Sequence, residues 1–162
     1  MTPQPHSPPA QARSFHRILV ATDFYPGSKR AFRKALELAR DLGAELRLLH
    51  VWAVPQTRAV FFISISPESR ATVRQRHRAK TRRRFEDFLR GEALEGVRWS
   101  THFLEGRPHE EIVRYAEQEG IDLIVVGERP ETRAQHLLQH LAFESVGERV
   151  RRTAPCPVLT VR

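Results

Sequence analysis

Five short apolar runs recur along this chain: "RILVAT" (17–22), "AELRLLHVW" (44–52), "VRWSTHFLE" (97–105), "DLIVVG" (122–127) and "PVLTVR" (157–162). Segments with helical spacing lie between them. Strands that alternate with helices cannot pair as hairpins; each needs a crossover, which implies a mostly parallel sheet covered on both faces. The first run is apolar without interruption, as a strand buried on both sides must be, and is bounded by Asp23, Pro26 and Gly27.

The intervening segments carry their own signals. After the first run, Phe32, Ala35, Leu36, Ala39 and Leu42 mark one helical face, with Ser28 expected as N-cap and Gly43 as C-cap. Pro67 and Ser69 open a long basic helix reaching Arg90. "GRPHEEIVRYAEQEG" (106–120) reads as a helix with Pro108 in its first turn and Gly120 past its end. "FESVGERVRRTAP" (143–155) reads as the last, with Val146 and Val150 turned inward. The apolar run Ala59 to Ile63 stands where a loop should be and is expected over a sheet edge or in an interface.

The chain has 162 residues, the size of one domain, and such a domain buries roughly 70% of its unfolded surface without needing disulfide or metal. Residues 1–15 are Pro-rich without an apolar centre and read as a disordered tail rather than a signal peptide, leaving one domain over 16–162. The single cysteine, Cys156, cannot pair within the chain, which points to a cytoplasmic location. No run approaches the ~18 apolar residues that cross a bilayer, so no membrane partner is expected.

The balance is basic, with 27 Lys and Arg against 19 Asp and Glu, and much of the excess is local. Residues 69–90 hold nine basic and two acidic side chains. Val73, His77, Thr81, Phe85 and Phe88 form a thin stripe on that helix. The rest reads as a solvated face, the alternative being a polyanion or nucleic-acid binder. Stacking aromatics or a groove-entering motif would normally accompany nucleic-acid binding, and neither is evident in the sequence, so nucleic acid is not among the expected partners.

Several chemistries are excluded by spacing. No glycine precedes a Lys-Ser or Lys-Thr pair, no G-x-G-x-x-G occurs, and nucleophile elbows and CxxC pairs are missing. His136 and His140 stand four apart but lack further ligands at helical spacing, so no metal is expected. Glu110 and Glu111 open a helix, where carboxylates interact favourably with the positive end of its dipole; no catalytic residue is assigned.

Three stretches carry a family resemblance. "RILVATDF" (17–24), "GRPHEEIVRYAEQEGIDLIVVG" (106–127) and "ESVGERVRRTAPCPVLTVR" (144–162) resemble the opening, the third helix with fourth strand, and the closing segment of the universal stress protein (UspA-like) family. The resemblance implies an α/β fold: an open doubly wound sheet of five mainly parallel strands with helices on both faces, of the adenine nucleotide alpha hydrolase-like type. It also implies a homodimer through the terminal strand, Val158, Leu159, Thr160 and Val161. An uncovered edge strand offers unpaired backbone groups for that pairing.

ATP-binding members of that family show G-x2-G-x9-G-[ST] after the fourth strand. Here Gly127 matches the first glycine, Pro130 stands at the second, and Glu144 followed by Ser145 at the third, with thirteen residues where the pattern has nine. Proline has no backbone donor, and a carboxylate repels phosphate. Thr22, Asp23 and Val51 match family positions beside the nucleotide, while Asp23 also suits a turn cap and Val51 a core position. Arg129, Arg133, His136 and His140 are candidate anion contacts near the altered loop. The expectation is therefore a non-enzymatic stress-response protein with a degenerate ATP site and no cofactor, working through an unknown protein partner. Two alternatives stay open: an ATP/Mg-binding regulator using Thr22, Asp23, Val51, Gly127 and Ser145, with at most slow hydrolysis, and the polyanion binder.

Overall fold

The computed structural model describes residues 15–53, 66–128 and 145–162. The tail before Phe15, the run 59–63, Arg129, Pro130, Arg133, His136, His140 and Glu144 lie outside the described residues. The elements are β1 (Arg17–Ala21), α1 (Pro26–Leu42), β2 (Glu45–Trp52), α2 (Pro67–Leu89), β3 (Trp99–Glu105), α3 (Pro108–Gln118), β4 (Leu123–Gly127), α4 (Val146–Thr153) and β5 (Val158–Val161).

The strands form one sheet in the order β3-β2-β1-β4-β5, and every neighbouring pair is parallel. The central position of β1 explains its unbroken apolar run: Ile18, Leu19 and Val20 are fully buried. Side chains alternate between faces along each strand. Ile18, Val20, Leu46, Leu48 and Val125 meet Phe32, Ala35 and Leu36 of α1 and Phe85 and Phe88 of α2. Leu19, Leu49, Ile124 and Val126 meet Ile112, Tyr115 and Ala116 of α3 and Val150 of α4. The doubly wound, five-stranded architecture expected from the alternation is present.

Local details depart from expectation at one cap and at one position turned outward. Helix α1 starts at Pro26 with Tyr25 as its N-cap, so Ser28 lies inside the first turn. Its hydroxyl donates to the Tyr25 carbonyl at 2.9 Å, beside the helical bond that this carbonyl accepts from the Lys29 amide at 3.1 Å. Gly43 does close the helix, in the left-handed conformation at φ 65°. In α4 Val150 is buried, but Val146 is 42% exposed. In that first turn the position turned to the sheet is Gly147, where an added β-carbon would lie 3.6 Å from Val126.

Helix α2 is unequal along its length. Thr81, Phe85 and Phe88 are buried, Val73 and His77 half-buried, and most of the remaining residues exposed. It is anchored near its amino-terminal half by an ion pair from Arg74 to Glu105 at 3.0 Å and by the ring of His77 stacked on Trp52, centroids 3.7 Å apart. At its far end, Lys29 and Arg33 of α1 hold Glu92 at 2.8 and 3.0 Å. Burial works against the Glu92 charge, but the bonds from Arg33 and Lys29 outweigh it and hold the carboxyl below its usual range.

Candidate functional site at the β1–β4 crevice

From β1 the chain moves outward through β2 to β3, then returns to place β4 on the other flank of β1. The reversal leaves a crevice beyond the carboxyl ends of β1 and β4, where open α/β sheets bind ligands. In register, Ala21 lies opposite Val126, so Thr22 and Gly127 are the next residues at this edge.

Thr22 is buried, and its groups are engaged within the fold. Its amide donates to the Leu49 carbonyl at 2.8 Å, continuing the β1–β2 ladder. Its hydroxyl lies 2.9 Å from the Ser28 hydroxyl and accepts from the Phe24 amide at 2.9 Å. Its carbonyl accepts from Nδ1 of His50 at 2.8 Å. A carbonyl can only accept, so His50 carries hydrogen on Nδ1, and neutral His50 has an acceptor at Nε2. Burial pushes the His50 pKa down; the bond to Thr22 opposes this and the Arg84 charge adds to it.

Asp23 accepts from the Tyr25 amide at 3.1 Å through Oδ1, the turn-capping geometry open to it in the sequence. Val51 is 9% exposed and packs in the α3/α4 layer, a core position. Between Asp23 and Tyr25, Phe24 takes φ 66°, a left-handed conformation rare for a bulky side chain. The surroundings hold it there: its ring lies 4.6 Å from His50, 5.1 Å from Phe85 and 5.8 Å from Phe88, with the Arg84 guanidinium carbon 4.5 Å away. The sequence had given Phe24 and His50 no part in a site, and Ser28 only that of an N-cap. The only signal for them was position, immediately beyond β1 and near the end of β2.

Gly127 has a structural cause. A β-carbon added there would lie 2.2 Å from the carbonyl oxygen of Gly27 and 2.7 Å from the Ser28 nitrogen. The first turn of α1 thus crosses the end of β4 in backbone contact. Ser145 caps α4: its hydroxyl accepts from the Glu148 amide at 3.2 Å, and the Glu148 carboxylate accepts from the Ser145 amide at 3.4 Å. The Ser145 hydroxyl keeps one hydrogen to donate.

The structure brings Thr22, Asp23 and Gly127 to one edge, with Val51 on the adjoining strand and Ser145 at the head of α4. Val158, Leu159, Thr160 and Val161 form the edge strand β5, hydrogen-bonded within the sheet to β4. Among the described residues no group of three or more His, Cys, Asp or Glu side chains is arranged to hold a metal ion. Nor is any described helix long and apolar enough to cross a membrane.

Comparison with known proteins agrees with this architecture. The chain is 33% identical over 151 residues to the universal stress protein YxiE of Bacillus subtilis, covering 91% of this chain and 99% of that one. The solved structure of MJ0577, a universal stress protein of Methanocaldococcus jannaschii, superposes with a TM-score of 0.71 at 26% identity, covering 91% of this chain and 96% of that one. A universal stress protein solved in complex with cAMP shares the fold, with a TM-score of 0.57 at 20% identity over 92% of this chain and 98% of that one. The model of the universal stress protein family matches residues 14–162, and with five parallel strands in the observed order the chain belongs to that family.

Proposed function

We propose that this protein is a non-enzymatic, cytoplasmic stress-response protein that acts as a homodimer through protein contacts and carries a dismantled adenine-nucleotide site. One observation carries this reading: Gly127, the one glycine of the phosphate-loop pattern left in the sequence, is accounted for by its backbone contact with Gly27. Pro130 and Glu144 stand where further glycines would let the backbone approach a phosphate. Thr22 and Asp23, which would face the nucleotide, already bond to Ser28, Phe24 and Tyr25. The dimer would form by antiparallel pairing of β5 with its twin, since an edge strand presents unpaired backbone groups in a row.

The second reading is an adenine-nucleotide-binding regulator built on Thr22, Asp23, Val51, Gly127 and Ser145, with Arg129, Arg133, His136 and His140 replacing lost backbone donors. It is favoured by the hydrogen remaining on the Ser145 hydroxyl and by the cAMP held in a protein of the same fold. Calorimetric titration with ATP and magnesium, on protein first checked for carried nucleotide, separates the two. The first reading expects no heat and no carried nucleotide, with a dimeric mass in sedimentation that falls to monomer when Thr160 is replaced by proline. Micromolar binding would overturn it in favour of the second.

A further inference from the structure

The carboxyl-terminal half of α2 lies against the sheet, but the exposed side of its basic stretch faces no other element among the described residues. Inward, His77, Thr81, Phe85 and Phe88 follow one another at spacings of three and four. Much of the exposed remainder falls into three parallel lines, with Arg74 and Arg84 outside them and Asp87, paired with Arg90, continuing one flank past Arg83. Arg78 and Arg82, one turn apart, make one flank; Arg76, Lys80 and Arg83 make the other. At 3.6 residues per turn the two flanks stand roughly 150° apart around the helix. The line between them is Thr72, Gln75 and Ala79, uncharged and short, bounded by Glu68 and Glu86.

None of the five basic side chains on the flanks has an acidic partner among the described residues. Some arginines outside the flanks are paired, Arg33 with Glu92, Arg47 with Glu45 and Glu119, Arg74 with Glu105 and Arg107 with Glu110, while the exposed Arg30 and Arg151 stand singly and without an ion pair among the described residues. A solvated helix is usually laced with such pairs at spacings of three or four. Leaving five like charges unpaired within two turns costs self-repulsion, which an anionic partner removes.

The geometry points to duplex DNA as that partner, with α2 laid crest-first along a major groove and each flank on one phosphate backbone. A helix of about 10–12 Å diameter fits a groove about 12 Å wide. Charged flanks with a neutral crest match a groove whose walls are phosphate and whose floor is base edges. Gln75 is the side chain placed to reach that floor. A membrane surface fits less well, because the crest holds no apolar residue larger than Ala79. An acidic polypeptide has no two-walled shape to match the two flanks. The surface is separate from the β1–β4 crevice, so it stands whether or not a nucleotide binds there.

The test is fluorescence anisotropy of a labelled mixed-sequence DNA duplex against the full chain over a salt series. Five phosphate contacts predict a slope of log affinity on log salt near about −4.5, a loss of roughly 500-fold between about 50 and 200 mM. Replacing one flank (Arg78→Gln with Arg82→Gln) should flatten the slope by about 1.8, and the other (Arg76→Gln, Lys80→Gln and Arg83→Gln) by about 2.7. Because the altered residues are exposed, all variants should melt with the parent; any that does not is replaced by its Ala counterpart at the same positions, which also removes the charge. Duplex should outcompete single-stranded DNA and polyglutamate of equal charge. No binding, a slope untouched by either flank variant, or equal displacement by polyglutamate each overturns the proposal, the last naming an acidic protein surface instead.

Discussion

Gly27 and Gly127, one hundred positions apart in the chain, meet backbone to backbone: a β-carbon on Gly127 would sit 2.2 Å from the Gly27 carbonyl oxygen. The contact seats the first turn of α1 over the end of β4 and so shapes the crevice between β1 and β4. The absence of a side chain at Gly127 is what lets the helix approach so closely.

Gly127→Ala should therefore destabilise the fold whether or not nucleotide is present, because the obstructing atoms are backbone and cannot rotate away. A loss of about 3 kcal/mol is expected from urea denaturation, at the upper end of overpacking costs. A neutral result would mean that α1 can lift from β4, leaving the glycine to a ligand.

Phe24 offers a sharper comparison. Its φ of 66° is costly for any side chain, and its ring packs on His50, Phe85 and Phe88. Phe24→Ala loses the packing and keeps the strain; Phe24→Gly loses the packing and relieves the strain. The glycine variant should be the more stable of the two by about 1 kcal/mol, with both below the parent. The reverse order in paired melts would show that the left-handed backbone stores no strain.

Glu92 is nearly buried and accepts from Lys29 and Arg33, joining α1 to the turn after α2; Lys29 also donates to the Phe88 carbonyl and lies 4.7 Å from the Phe88 ring centre. Glu92→Ala strands the Lys29 charge and should cost about 2 kcal/mol by denaturant titration. Loss of less than a few tenths of a kcal/mol would mean that the Phe88 carbonyl and ring suffice for the ammonium.

His50, His77 and His102 are each held below the ordinary imidazole value of 6.5, in every case chiefly by burial, with Arg84, Lys80 and Arg47 adding respectively. In the window between 6.5 and those lower folded-state values the unfolded chain binds more protons than the native one. Stability is thus fully present above 6.5 and falls as pH drops through that window. The melting midpoint should decline from about pH 7.5 to about pH 5.5, and His50→Asn should flatten part of that decline. A midpoint constant across the range would contradict the burial of these rings.

Much of the architecture was legible in the sequence because its cause is local. Period-two and uninterrupted apolar runs mark strands, spacings of three and four mark helices, and Gly43 closes α1 as its position suggested. The order of elements then leaves few ways to cover both faces of a parallel sheet, and the family's residue patterns narrowed these further. The cap of α1 escaped because Tyr25 has no capping side chain, while Ser28 resembles a cap and instead bonds back within the first turn.

The crevice was legible only as an address. Thr22, Asp23 and Gly127 could be placed at the carboxyl edge from their positions after β1 and in β4, but their partners could not. Whether a hydroxyl, a carboxylate or a glycine serves a ligand or the fold depends on atoms brought near from elsewhere in the chain. Gly27 against Gly127, His50 against the Thr22 carbonyl and Phe85 against Phe24 are contacts across 100, 28 and 61 positions respectively. Sequence determined which elements form and in what order, since backbone propensity and apolar periodicity act over a few residues. Only the tertiary structure decided which polar groups are already engaged and which arginines of α2 lack partners, since those depend on distances that only packing sets.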